Sequence, residues 1–299
     1  MMPVNSLGKL VFWPEFRYPP RAVLVQHSYS HSTSPLEVFS SFWRNRELIW
    51  QLTRREIAAR YKGSVLGLLW SFVNPVLMLA VYTFVFSVAF RARWGTGGGG
   101  KAEYAIVLFA GMIVYGLFSE CVTRAPGLIL ANVNYVKKVF FPLEILIWVV
   151  AGSALFHAGI SLIVLLLFNG IVAASVQWTV LLLPLVMLPL IFFTLGLVWI
   201  LASAGVFLRD IGQTVGIATT ALLFLSPVLY PATMLPEKYR LLILLNPLTF
   251  IIDQARGVLL WGRLPDWATL GAYLLGSWIV SCLGFFWFQR TRNGFADVL

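Results

Sequence analysis

Few residues in this chain have types and spacing suited to chemistry, and they fall into three groups. Glu120, Glu144 and His157 are ionisable side chains set within or beside long apolar runs. Such groups at membrane depth are usual pointers to function, because an unpartnered charge there is costly. Glu120 and Glu144 stand near the ends of their runs. His157 is the deepest and suits an interhelical hydrogen bond, with a role in transport as the alternative. The relay of buried carboxylates that a proton- or sodium-driven carrier needs is missing from the sequence. So are an inner carboxylate pair, a His/Cys metal cluster, and a nucleophile with its base. The second group is Gly95-Thr96-Gly97-Gly98-Gly99-Gly100-Lys101-Ala102, close to the phosphate-cradling pattern G-x-x-x-x-G-K-[ST]. Ala102 has no hydroxyl for magnesium, and the loop joins two apolar runs instead of a strand and a helix. It reads as a flexible linker. The chain is therefore expected to bind no nucleotide, metal or other cofactor itself, and to catalyse nothing.

The third group is basic and aromatic. Trp43-Arg44-Asn45-Arg46-Glu47 and Arg54-Arg55-Glu56-Ile57-Ala58-Ala59-Arg60-Tyr61-Lys62 run directly into Val65 to Phe90, which holds no charged residue. On a helix, Trp43, Trp50, Ile57 and Tyr61 share one stripe flanked by Arg54 and Arg60. That pattern suits a helix lying in the headgroup layer with its arginines reaching for phosphate. The opposite side carries Leu48, Ile49 and Leu52, so the helix is expected to be wedged between lipid and protein.

These groups need elements to position them, and composition says what the elements are. The 299 residues are 59% hydrophobic and 11% charged, with mean hydropathy +0.83. A soluble domain holds about 25% charged residues, so an all-α integral membrane protein is expected. The net charge of +10 then marks cytoplasmic loops and anionic lipid, with no nucleic acid partner. Cys121 and Cys282 imply no disulfide framework. Residues 1–36, rich in proline and containing His27-Ser28-Tyr29-Ser30-His31, read as a flexible cytoplasmic extension. Its apolar stretch Leu10 to Trp13 is too short for a signal peptide, and its two histidines are too few for a closed metal site. Residues 37–299 read as one transmembrane domain with spans near 66–90, 105–122, 143–168, 178–207, 214–231 and 268–288. Between the last two, Asn246-Pro247 interrupts an apolar run, which suggests short re-entrant helices. Asp253 and Arg256 beyond the break are spaced to pair on one helix face. With six spans and both termini inside, 15 Lys/Arg fall inside and 7 outside, the direction of the positive-inside rule.

Arg55-Glu56, Arg60-Tyr61-Lys62-Gly63-Ser64-Val65-Leu66-Gly67, Trp70 and Asn74-Pro75 together resemble the N-terminal motif of polysaccharide-moving type-2 ABC exporter membrane subunits. The resemblance continues through Asn134, Lys138-Val139-Phe140-Phe141-Pro142, Arg209-Asp210-Ile211, Ser226-Pro227-Val228-Leu229-Tyr230-Pro231 and Asn246-Pro247-Leu248, with Arg256 and Gly262 in register. It covers about Val38 to Arg292 and is nearest to O-antigen lipopolysaccharide export permeases, with wall teichoic acid exporters very similar. The long N-terminal extension and the glycine-rich loop depart from that pattern.

The resemblance implies a homodimer of six-span subunits in the bacterial inner membrane, both termini cytoplasmic. It also implies two ATP-binding-cassette subunits holding ATP and magnesium, and an undecaprenyl-diphosphate-linked substrate. A helix coupling to the ATPase would lie at about Ala131 to Phe141, with Asn134, Tyr135, Lys137, Lys138, Phe140 and Phe141 as contacts. Arg54, Arg55, Arg60, Tyr61 and Lys62 would steer the lipid diphosphate, since guanidinium matches phosphate geometry. Tyr82, Phe86, Tyr115, Phe118 and Trp199 are candidates for lining a passage for sugars, against the plainer reading of packing and interface belts. Tyr230, Asn246, Pro247, Asp253 and Arg256 would form an outer gate. Teichoic acid or capsule export, then drug or lipid export, are the rival readings within the class; a membrane-embedded transferase is the rival outside it.

Overall fold

The computed structural model describes residues 37–89, 101–136, 141–173, 177–231, 234, 236, 238, 243 and 246–299, and the described elements are helical. The glycine-rich loop before Lys101, the extension over residues 1–36, and Lys137, Lys138 and Phe140 lie outside the described residues. Helix α1 spans Glu37–Arg44 and α2 spans Arg46–Tyr61. They break at Asn45, whose side-chain amide donates to the Ser41 carbonyl (2.8 Å). Ile49 of α2 is buried on Ile145 and Val149, with Leu48, Leu52, Phe42 and Trp148 packed around them. Trp43 and Trp50 remain about two-thirds exposed on the other side (67% and 68%). One flank of α2 is thus a protein contact and the other is open, as a helix with two apolar sides requires.

The link from α2 to the first apolar helix turns through Gly63 (φ 85°) and Gly67 (φ 51°). Both sit in the left-handed region that side chains with a Cβ rarely adopt. Helix α3, Trp70–Tyr82, contains Pro75 and continues as a π-helical stretch over Thr83–Ala89. Helix α4, Lys101–Leu128, is the most buried element and touches α3, α6, α7, α8 and α9. After it come the four-residue α5, Val133–Val136, then α6, Ile145–Ala173. A 3-10 turn, Trp178–Leu182, leads into α7, Leu183–Phe207, followed by α8, Ile211–Leu225. Helix α9 is Pro247–Leu260, α10 is Trp267–Thr291 and α11 is Phe295–Val298.

Among the described residues, five helical segments are long and apolar enough to cross a membrane: Gly67–Phe86, Glu103–Leu128, Ile145–Val172, Trp178–Phe207 and Trp267–Val298. Several expected boundaries move, two of them for a clear physical reason. The span expected to end at residue 122 runs on to Leu128 with Pro126 inside it. Packing overrides the proline, because Gly205 of α7 lies directly against the Pro126 backbone. The span expected over 214–231 is the shorter helix Ile211–Leu225. It stops where Ser226 turns extended (ψ 149°) ahead of Pro227, as the residue before a proline tends to do.

The tightest helix pair is α7 with α10. A Cβ on Gly196 would stand 2.6 Å from the Val280 carbonyl oxygen, and one on Gly284 would collide with the Gly196 carbonyl. Small residues let two backbones approach to this degree, which is the principal source of helix affinity in lipid. Gly284→Val should therefore force α7 and α10 apart and destabilise the bundle by about 1–3 kcal/mol. Thermal unfolding of the detergent-solubilised protein should register this as a lowered midpoint.

Candidate functional site

The basic end of α2 does not float free. It is tied to α4 and α6 through side chains that are 60 to 97 residues apart in the chain. Arg60 Nη1 donates to Glu120 Oε1 of α4 (2.5 Å) and to His157 Nδ1 of α6 (3.0 Å). Because a guanidinium can only donate, Nδ1 accepts. The ring proton then sits on Nε2, 3.1 Å from the Tyr61 hydroxyl. Burial pushes the Tyr61 phenol above its ordinary pKa, outweighing the pull of Arg60, with Glu120 adding to the rise. It stays protonated at neutral pH. One turn further along α4, Arg124 pairs with Glu56 of α2 and lies 3.7 Å from Glu120. Arg60, Tyr61, Glu120 and His157 rim a cavity of about 280 Å³ whose remaining walls include Asn74, Met78, Tyr82, Phe109 and Met112. One end is polar and charged and the other is apolar.

The segment after α4 is held at two points. Arg55 Nη2 donates to the Tyr135 hydroxyl (2.6 Å), and the Tyr135 ring stacks on Phe141 at 4.2 Å and 8°. Arg292, beyond α10, donates through Nη2 to the Phe141 carbonyl (2.7 Å) and through Nη1 to Glu144 Oε2 (2.8 Å). The other oxygen of Glu144 accepts from Ser41 Oγ of α1 (3.2 Å). Three stretches distant in sequence meet on this buried carboxylate and its guanidinium partner.

A second polar hub lies at the opposite end of α4. Arg256 of α9 is 3% exposed. Its Nε donates to Val107 O (2.9 Å), Nη1 to Pro227 O (2.6 Å) and Nη2 to Val228 O (2.8 Å). Gly111 makes room for it, since a Cβ there would lie 2.5 Å from Nη2. Asn246 caps α9 by accepting from Leu248 N (3.0 Å) and donates its amide to Ser226 Oγ (2.8 Å). Tyr104 donates to Leu229 O (2.5 Å) and Tyr230 to Phe224 O (2.8 Å). The hub thus satisfies carbonyls freed where α8 ends, an obligation for backbone polar groups within an apolar bundle.

The expected site residues therefore sort clearly. Arg55, Arg60 and Tyr61 converge on α4, α6 and the segment after α4, whereas Arg54 and Lys62 are exposed. Of the residues expected to couple to an ATPase, Tyr135 and Phe141 form the stack, and Asn134 lies in the short α5. Tyr230, Asn246, Pro247 and Arg256 gather at the second hub. Asp253 is exposed on α9, and Arg256 turns inward to carbonyls. The candidate passage aromatics fall in different settings. Tyr115 donates to Thr219 O (2.6 Å), Phe118 stacks on Phe193, and Trp199 packs edge-on to Trp148 and Phe285. All three are buried. Their apolar bulk is taken up by helix packing. Phe86, half-buried, stacks on Tyr104, and Tyr82 alone of the five lines the cavity. The Arg292–Glu144 and Arg124–Glu56 pairs were not read from the sequence. A lone glutamate beside an apolar run was the one signal available.

Apolar helices joined by such hubs, with a basic amphipathic helix packed against one end, define a multi-pass membrane subunit. Residues 47–260 match the ABC-2 type transporter family, and the chain belongs to it. It is 31% identical over 264 residues to the O-antigen export system permease protein RfbA of Myxococcus xanthus, covering 88% of this chain and 99% of that protein. The Klebsiella pneumoniae protein of the same name is 29% identical over 255 residues, 85% of this chain and 95% of that one. The polysialic acid transport protein KpsM of Escherichia coli is 21% identical over 266 residues, 85% and 96% of the two chains.

Glu144 and Arg292 are nearly enclosed, with side chains 6% and 13% exposed. Removing one partner strands the other, so Arg292→Ala should destabilise the protein by about 3–5 kcal/mol. The double replacement Glu144→Gln with Arg292→Met should recover much of that loss in thermal unfolding.

Proposed function

We propose that this chain is the membrane permease of an ATP-driven exporter that moves a polysaccharide, O-antigen, across the bacterial inner membrane. The alignment with O-antigen export permeases over nearly their whole length carries the reading. More distant similarity to polysialic acid and capsule export proteins keeps the substrate class the same. In this reading the subunit crosses the membrane six times, with α8 as the short fifth crossing and α9 returning on the outer side. Both termini face the cytoplasm. Two copies pair, and the apolar residues exposed on α3, the π-helical stretch after it and α8, such as Leu77, Phe84, Ile217 and Phe224, suit a second copy or lipid. ATP is hydrolysed on two separate ATP-binding-cassette subunits, which dock at the segment from Ala131 to Phe141.

The substrate carries an undecaprenyl diphosphate anchor, and the basic face of α2 meets it. Arg54 and Lys62 supply exposed positive charge at long range, Arg60 holds the mouth of the cavity, and Arg55 reaches Tyr135. The apolar wall formed by Met78, Tyr82, Phe109 and Met112 suits the first isoprene units.

Deleting the gene should make lipid-linked polymer accumulate inside the cell and remove it from the surface; export unaffected by the deletion would overturn the assignment. Arg55→Ala with Arg60→Ala should reduce surface polymer several-fold while the ATPase still copurifies. Phe140→Asp should instead weaken copurification and abolish substrate-stimulated ATP hydrolysis.

A further inference from the structure

Glu120 lines the polar end of the cavity. Its Oε1 sits 2.5 Å from Arg60 Nη1 and 3.3 Å from His157 Nδ1. The Arg60 guanidinium is the donor a phosphate oxygen would seek at the polar end of the cavity, beside the His157 ring. Arg60 is not sealed in, since 49% of its side chain remains exposed, while Glu120 is only 18% exposed. The cavity therefore presents a guanidinium whose anion is already supplied from inside the protein. Arg124 lies 3.7 Å from the same carboxylate on the next turn of α4. Glu120 has a second cation within reach if it gives up the first.

We infer that the polar mouth of this cavity is an exchangeable anion site, in which Glu120 holds the place of the phosphate of a prenyl diphosphate. Arrival of the lipid moves Arg60 from carboxylate to phosphate, and Glu120 turns to Arg124. Asn74, exposed on the cavity wall, supplies an amide donor for the second phosphate. The exchange loosens the contact of α2 with α4, because Arg60–Glu120 is one of two ion pairs joining them. Substrate loading is thereby sensed by the helix that also holds Tyr135 through Arg55. A carboxylate in the site also sets a threshold: a single weak anion does not displace it, whereas a diphosphate carries enough charge to compete. This inference rests on the lipid-diphosphate reading above.

The test is binding of farnesyl diphosphate to the full chain in nanodiscs of neutral phosphatidylcholine. Glu120→Gln removes the competing charge, so it should bind about tenfold more tightly than wild type. The same variant loses an ion pair, so its ligand-free unfolding midpoint should fall. Tighter binding together with lower stability cannot come from misfolding. Equal or weaker binding by Glu120→Gln would overturn the inference. So would an equal gain in Glu120→Asp, which keeps the charge, or a gain that persists when Arg60→Ala is added. A gain seen with phosphatidylglycerol in the bilayer but not with farnesyl diphosphate would overturn the assignment to a prenyl diphosphate. Failure of the exporter reading would show separately, as absence of polymer accumulation in the deletion strain.

Discussion

A polar group inside a bundle of apolar helices must find its partner within the protein, because neither lipid nor packed side chains supply one. That constraint organises this subunit around α4. Near its start, the Val107 carbonyl and the space at Gly111 receive Arg256. Thirteen residues on, about 20 Å along the axis, Glu120 and Arg124 receive Arg60 and Glu56. The same helix therefore braces the chain break at Ser226-Pro227 at one end and the basic helix α2 at the other. Between these ends it is almost entirely buried.

The two kinds of contact differ in what they permit. Helices α7 and α10 meet backbone to backbone at Gly196 and Gly284. Such an interface has one arrangement, and separating it forfeits many small attractions at once. The joints between α2, α4 and α6 are made of ion pairs and hydrogen bonds at a cavity edge. A polar joint can trade one partner for another of like chemistry at little net change. The Tyr135–Phe141 stack, gripped by Arg55 on one side and Arg292 on the other, ties the segment after α4 both to the polar joints and to the last helix. Motion there is coupled to α2 by contact rather than by proximity alone.

Much of the helix inventory was legible in the chain. The span over 178–207 needs only its length and lack of charge, and the structure places a 3-10 turn and α7 over those residues. The Asn246-Pro247 break marks the start of α9, because an asparagine cap followed by proline states the start of a helix locally. Other features were not local. Pro126 looked like a loop residue and sits inside α4, since Gly205 packs against its backbone from another helix. Tyr115, Phe118 and Trp199 are packed inside the bundle, and an aromatic side chain in an apolar run carries no mark of the direction it faces.

The sequence by itself determined that the chain enters a bilayer, which stretches are long enough to cross it, and that a basic aromatic helix precedes the first of them. Hydrophobic length and charge are sums over neighbouring residues, so no fold is needed to evaluate them. Family membership was legible for a related reason: short motifs keep their spacing along the chain. Only the tertiary structure decided who pairs with whom. Arg60 with Glu120 and His157, Glu144 with Ser41 and Arg292, and Arg256 with three carbonyls all join residues remote in the chain. An ion pair depends on distance in space, and that distance exists only once the helices have packed.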